Sequence, residues 1–123
     1  MKLFAECYLL LIRMGVLLRR GNMRALHTSV RSQRVLTSVI RRPDVVGLCR
    51  AMDVTSVFFP TTVRCLQRSA ATAILLRRHG IQTEMVIGIQ MVPLKSHAWV
   101  EVGGRVVNDK PHIQELYHQL DRC

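Results

Sequence analysis

At 123 residues with 49% hydrophobic content, the chain suits one small domain with a modest core, and 5% aromatics make that core aliphatic. The formal net charge is +10, but residues 1–50 hold ten Lys/Arg against Glu6 and Asp44, whereas residues 51–123 hold eight against six acids. The basic character therefore belongs to the N-terminal part, and fifteen of the eighteen cations are Arg, which favours carboxylate or phosphate partners.

In chain order, residues 2–20 read as a helix that stops at Gly21 and Asn22. Its apolar run, residues 7–18, is split by Arg13 and is far short of the roughly 20 residues that span a bilayer. No small-residue cleavage site follows, so a secretory signal is not supported; the Arg-rich stretch to residue 42 also fits a transit peptide on composition alone. The preferred reading is an amphipathic helix that packs on its own domain or a partner. Residues 24–42, with Val30, Val35, Val39 and Ile40, read as a second helix broken by Pro43. Asp44 caps a short helix to about residue 52, and "FFPTT" is a loop.

The next helix, about residues 63–79, has Thr62 as its expected N-cap and Gly80 as its stop. After Gly80 the period becomes two: Thr83, Met85, Ile87, Ile89 and Met91 fall on one side of a strand, with Met85 and Met91 expected in the core. "SHAWVEVGGRVVND", Ser96 to Asp109, reads as a hairpin. A C-terminal segment, about residues 111–120, reads as helix, with the last few residues expected to be mobile. Helices followed by a small antiparallel sheet make an α+β architecture. The expected division is residues 1–52 as basic N-terminal helices and 53–123 as the core unit, within one compact domain.

The hairpin's register decides whether His97 and Asp109 can meet. A two-residue Gly103-Gly104 turn sets Asp109 opposite Ala98, facing away from His97. A three-residue loop with Gly104 in a bulge sets His97 opposite Asp109, Glu101 opposite Arg105 and Val100 opposite Val106. Side-chain matching favours the bulged register by on the order of 1 kcal/mol. A carboxylate beside an imidazole orients the ring and stabilises imidazolium, as a base serving a nucleophile requires. A structural His–Asp contact at the hairpin mouth is an equal alternative.

The candidate nucleophile is Cys65, in the first turn of the 63–79 helix, where the helix dipole favours thiolate and free N–H groups could hold an oxyanion. The alternative is an inert buried cysteine. Cys7 and Cys49 lack a matching His, and Cys123 is terminal. With no CxxC pair and no signal, the four cysteines read as reduced and cytoplasmic. No zinc motif, phosphate loop or other cofactor signature is present, so no cofactor is expected. Ser69 is expected to pack, Arg68 to lie on a solvated face, and Trp99 either to wall a substrate groove or to pack.

The residues Cys65 to Ser69, Arg77 to Ile81, Ile87-Gly88, Ser96 to Glu101 and Asp109 resemble the motifs of the lasso-peptide leader peptidases, the catalytic half of the split B protein, within the transglutaminase-like and papain-like cysteine enzymes. The resemblance covers about residues 60–110 and is only compositional over the N-terminal helices. It implies a transglutaminase-like fold with Cys65 as nucleophile, His97 as general base and acid, and Asp109 as orienting residue. It implies leader removal from a ribosomal precursor peptide in the bacterial cytoplasm, before an ATP-dependent cyclase forms the macrolactam. The Arg-rich first 50 residues leave no room for a leader-recognition domain, so a separate leader-binding partner is expected. The rivals are an acyltransferase or amidase on the same triad and, from another class, a basic module for nucleic acid or a membrane surface. Interleaved aromatics are absent and the charge lies outside the half that carries the motifs, which argues against nucleic acid. Peripheral membrane contact through the first helix stays open.

Overall fold

The computed structural model describes residues 2–21, 23–35, 44–91 and 93–123. Four helices come first: α1 (Lys2–Arg19), α2 (Met23–Ser32), α3 (Val45–Val57) and α4 (Cys65–Arg78). Strands β1 (Glu84–Gln90), β2 (Lys95–Val102) and β3 (Arg105–Val106) follow, then a single turn α5 (Ile113–Leu116) and β4 (His118–Arg122). The four strands form one antiparallel sheet in the order β3-β2-β1-β4. The α+β expectation therefore holds.

Helix α4 is the central element. Ala70, Ala71, Ala73, Ile74, Leu75 and Leu76 are all buried. Small residues let neighbours approach closely, so α1 (Cys7, Leu10, Leu11, Met14), α2 (Leu26, Val30) and α3 (Leu48, Met52) join α4 and the Met85/Val100 face of the sheet in one core. The division expected after residue 52 falls inside α3, and this core is shared across it. Gln67 reaches from α4 to donate to the Leu11 carbonyl at 2.8 Å. The other sheet face carries a smaller cluster of Val86, Trp99 and Ile113, with Val106 and Tyr117 against it.

Local capping explains several boundaries. Asp44 accepts the Val46 N–H and starts α3, which runs beyond residue 52 to Val57. At the end of α4, Gly80 takes a positive φ of 83°, and the Ile81 N–H returns to the Leu76 carbonyl at 2.9 Å. The expected N-cap is corrected: α4 starts at Cys65 with Arg64 as N-cap and no side-chain cap bond. Thr62 lies two residues before that position, so its hydroxyl does not close the first turn. The second helix ends at Ser32. Residues 33–35 of that expected helix are not helical, and residues 36–43, with Val39, Ile40 and the breaker Pro43, lie outside the described residues, as does Asn22.

Three further expectations change. The C-terminal segment is helical for four residues only and then becomes β4, because β1 offers it an open edge. The last residue is not loose: Cys123 and Met85 exchange both backbone hydrogen bonds at 2.9 Å, and Arg77 donates to the Cys123 carbonyl at 2.8 Å. Met91 sits just past the end of β1 and is 64% exposed, whereas Met85 is fully buried.

Candidate active site

The hairpin takes the register that the sequence analysis disfavours. Val102 pairs with Arg105 and Glu101 with Val106, so the turn is the two residues Gly103-Gly104. Both adopt positive φ, 58° and 81°, which a two-residue hairpin turn of type I′ demands at both positions. The expected Glu101–Arg105 pair does not form. Glu101 is buried instead and accepts from Trp99 Nε1 (2.8 Å), Gln114 Nε2 (2.9 Å) and Arg122 (3.0 Å). Three partners, Trp99 on the same strand and Gln114 and Arg122 from other segments, outweigh the one cross-strand charge pair offered by the bulged register.

Asp109 nevertheless reaches His97, by a different route. Strand β3 is only two residues long. The Val107 N–H still donates to the Val100 carbonyl at 2.9 Å, but the Val100 N–H turns to Asn108 Oδ1 at 2.7 Å. The side chain of Asn108 thus ends the ladder and the chain leaves the strand. Asn108 also donates to Ser69 Oγ (3.1 Å), and its own carbonyl accepts from Arg68 (3.2 Å). Ser69 in turn donates to the Ala98 carbonyl at 3.0 Å. These bonds lock the start of α4 to β2 and re-aim Asp109, whose Oδ2 lies 2.5 Å from His97 Nε2. Its Oδ1 accepts the Lys110 N–H at 2.7 Å.

With Nε2 bonded to the carboxylate, Nδ1 is the His97 nitrogen left for the Cys65 thiol. The hydrogen bond to His97 holds the Cys65 pKa below its ordinary value against the opposing effect of burial, and the backbone N–H groups of Ala98 and Leu66 add to it. The same contact raises His97, with Asp109 adding to the rise and burial opposing it. Burial pushes the Asp109 carboxyl up, but the bonds from His97 and the Lys110 N–H leave it lower overall. All three shifts favour a thiolate beside an imidazolium beside a carboxylate. The missing side-chain cap on α4 serves this arrangement, since it leaves first-turn N–H groups open to the sulfur.

The other cysteines are unsuited to the role. Burial pushes Cys7 and Cys49 up to about 11, and burial also raises Cys123. Trp99 is 2% exposed, so it does not wall a groove; it packs beside His97 with ring centroids 6.2 Å apart. Arg68, expected on a solvated face, instead bridges Asp53 on α3 (3.4 Å) and the Asn108 carbonyl. Asn108 and Tyr117 had no sequence signal of their own: an Asn after a strand usually marks only a turn, and Tyr117 sat in a stretch read as helix. Cys65 opens on a groove of about 880 Å³ lined also by Asp53, Ser56, Val57, Arg68 and the loop Phe59 to Val63. A second cavity of about 660 Å³ lies between α1 and the same loop, and Cys65 does not line it. Among the described residues no cluster of His, Cys, Asp and Glu could hold a metal, and no helix is long and apolar enough to cross a membrane.

Comparison with known proteins agrees with the fold. The family model described as the transglutaminase-like superfamily matches residues 8–121. The chain belongs to the transglutaminase-like superfamily. A similar protein is the Microcin J25-processing protein McjB of Escherichia coli, 43% identical over 51 residues, which is 42% of this chain and 24% of that relative. The match thus spans about a quarter of the relative's length. No solved structure matches. The transglutaminase-like match begins in α1 and runs into β4, so it takes in the N-terminal helices that the motif resemblance did not reach.

Proposed function

We propose that this chain is a cysteine peptidase that removes the leader from a ribosomally made lasso-peptide precursor, with Cys65, His97 and Asp109 as its triad. The observation that carries this reading is the 2.5 Å contact between His97 Nε2 and Asp109 Oδ2, with the Cys65 pKa lowered chiefly by the same ring. The likeness to a protein named for microcin processing supplies the substrate class.

The Cys65 thiolate attacks the scissile carbonyl carbon and forms a C–S bond. His97 imidazolium gives its proton to the departing amide nitrogen, the C–N bond breaks, and the core peptide leaves with a free amine. The leader remains as a thioester. Neutral His97 then takes a proton from water, the resulting hydroxide attacks the thioester, and the C–S bond breaks to release the leader carboxylate. Asp109 keeps the ring in one tautomer throughout. A separate leader-recognition protein delivers the precursor, and an ATP-dependent cyclase consumes the freed amine. The setting is the bacterial cytoplasm, with residues 1–52 as the basic helices that dock the leader, its binding protein or the cyclase.

The superfamily also supports a second reading, acyl transfer or amide hydrolysis on another peptide through the same thioester. Product masses separate the two: a trimmed precursor means hydrolysis, and a cross-link means transfer. The decisive experiment incubates this chain, the leader-binding protein and the precursor, with Cys65→Ala in parallel. Leader release should disappear in that variant, His97→Ala should be nearly as severe, and Asp109→Ala milder. Full activity of Cys65→Ala would sink the mechanism.

A further inference from the structure

Asp109 fixes one edge of the His97 ring, but a single hydrogen bond leaves the ring plane free to turn about that bond. Two other rings lie near-parallel to it. His97 and Tyr117 lie with centroids 5.5 Å apart at 27°, His97 and Trp99 6.2 Å apart at 28°, and Trp99 and Tyr117 6.1 Å apart. The three form a triangle over strand β1. Gly88, which pairs with His97 across β1 and β2, makes this possible. A Cβ at Gly88 would fall 2.7 Å from Trp99 Cη2 and 2.7 Å from Tyr117 Cβ, closer than carbon atoms pack. Trp99 cannot give way, since its Nε1 is bonded to buried Glu101.

The two aromatic neighbours are not equivalent. A cation gains from an aromatic face when it lies within about 6 Å of the ring centroid. Tyr117 falls inside that distance and Trp99 just outside it. We propose that Tyr117 is a positioning residue for His97: its face stabilises the imidazolium and holds the ring in the plane that turns Nδ1 toward Cys65. The inference rests on the Cys65–His97–Asp109 reading above. The groups that face or neighbour the imidazole are Cys65 from α4, Asp109 after β3 with Arg68 and Asp53 behind it, Glu101 beyond Trp99, and Tyr117 itself; β1 contributes only uncharged Gly88.

The test uses the full chain without substrate and follows iodoacetamide alkylation of Cys65 by peptide mass, near neutral pH and above the ordinary thiol range. Three variants are compared: Tyr117→Phe keeps the aromatic face, Tyr117→Leu removes it, and Tyr117→pentafluorophenylalanine keeps the shape but reverses the charge distribution of the face. Tyr117→Phe should alkylate like wild type. The other two should react about two- to fivefold more slowly near neutral pH. The difference should vanish above the thiol range, where the sulfur ionises unaided. Wild-type rates in both the leucine and pentafluoro variants would overturn the inference, as would equal slowing by Tyr117→Phe. If Tyr117→Leu fails to fold, the pentafluoro variant decides alone. Reactivity that does not depend on His97 in the wild type would sink the triad reading and this inference with it. His97-dependent reactivity that ignores residue 117 would overturn only the inference.

Discussion

The Val100 N–H donates to Asn108 Oδ1 at 2.7 Å, where a continuing hairpin would place the Val107 carbonyl. One side-chain amide therefore ends the strand and frees the next residue, Asp109, to bond His97.

Asn108→Ala should weaken both fold and site. The residue is 7% exposed, and the change strands the buried Val100 N–H and removes a donor to Ser69. Leaving such groups unpaired costs about 1–3 kcal/mol, readable as a lower midpoint in thermal or denaturant unfolding. Peptide cleavage should fall by on the order of a hundredfold, because Asp109 loses the constraint that aims it. Unchanged cleavage would show that Asp109 finds His97 without this brace.

Alkylation of Cys65 should begin at lower pH than for an ordinary thiol. Its pKa is lowered chiefly by His97, so thiolate is present below the usual thiol range and disappears only as pH falls through the depressed value. His97→Ala removes the largest cause and should move the midpoint of the alkylation profile upward. A profile with an ordinary thiol midpoint in wild type would contradict the ion pair.

Cys7 and Cys49 should resist the same reagent. Burial pushes both up to about 11, and both side chains lie in the helical core. Brief labelling near neutral pH should mark Cys65 well ahead of them, and denaturant should abolish the difference. Early labelling of Cys7 would show that α1 opens readily from the core.

Gly88→Ala should destabilise by about 1–3 kcal/mol, since the new Cβ overlaps Trp99 and Tyr117 and neither can move without repacking the smaller cluster. Unfolding midpoints measure this. A midpoint equal to wild type would show that the aromatic triangle is looser than its geometry implies.

Arg77→Met should be similarly costly. The guanidinium is buried and donates to the carbonyls of Val30, Thr83 and Cys123, joining α2, the lead-in to β1 and the C-terminus. The Thr83 carbonyl loses its donor, whereas Val30 and Cys123 keep the N–H groups of Gln33 and Met85, and a stranded buried acceptor costs about 1–3 kcal/mol. A thermal scan that shows no loss would mean that water replaces the guanidinium.

By itself the sequence determined what depends on neighbouring residues. Helix α4 and its stop at Gly80, the Asp44 cap and the change to period two after Gly80 follow from local propensity and backbone freedom. The motif pattern singled out Cys65, His97 and Asp109, but the register inferred to join the last two was wrong. Cross-strand pair preferences are worth on the order of 1 kcal/mol, too little to outweigh two glycines suited to a tight turn and a Glu101 that finds three partners elsewhere. Only the tertiary structure decided that Asn108 would close the ladder, that residues 118–122 would become a strand on the free edge of β1, and that Tyr117 would meet His97. Each depends on partners about ten to forty positions away, and a contact at that separation leaves no local periodicity to read.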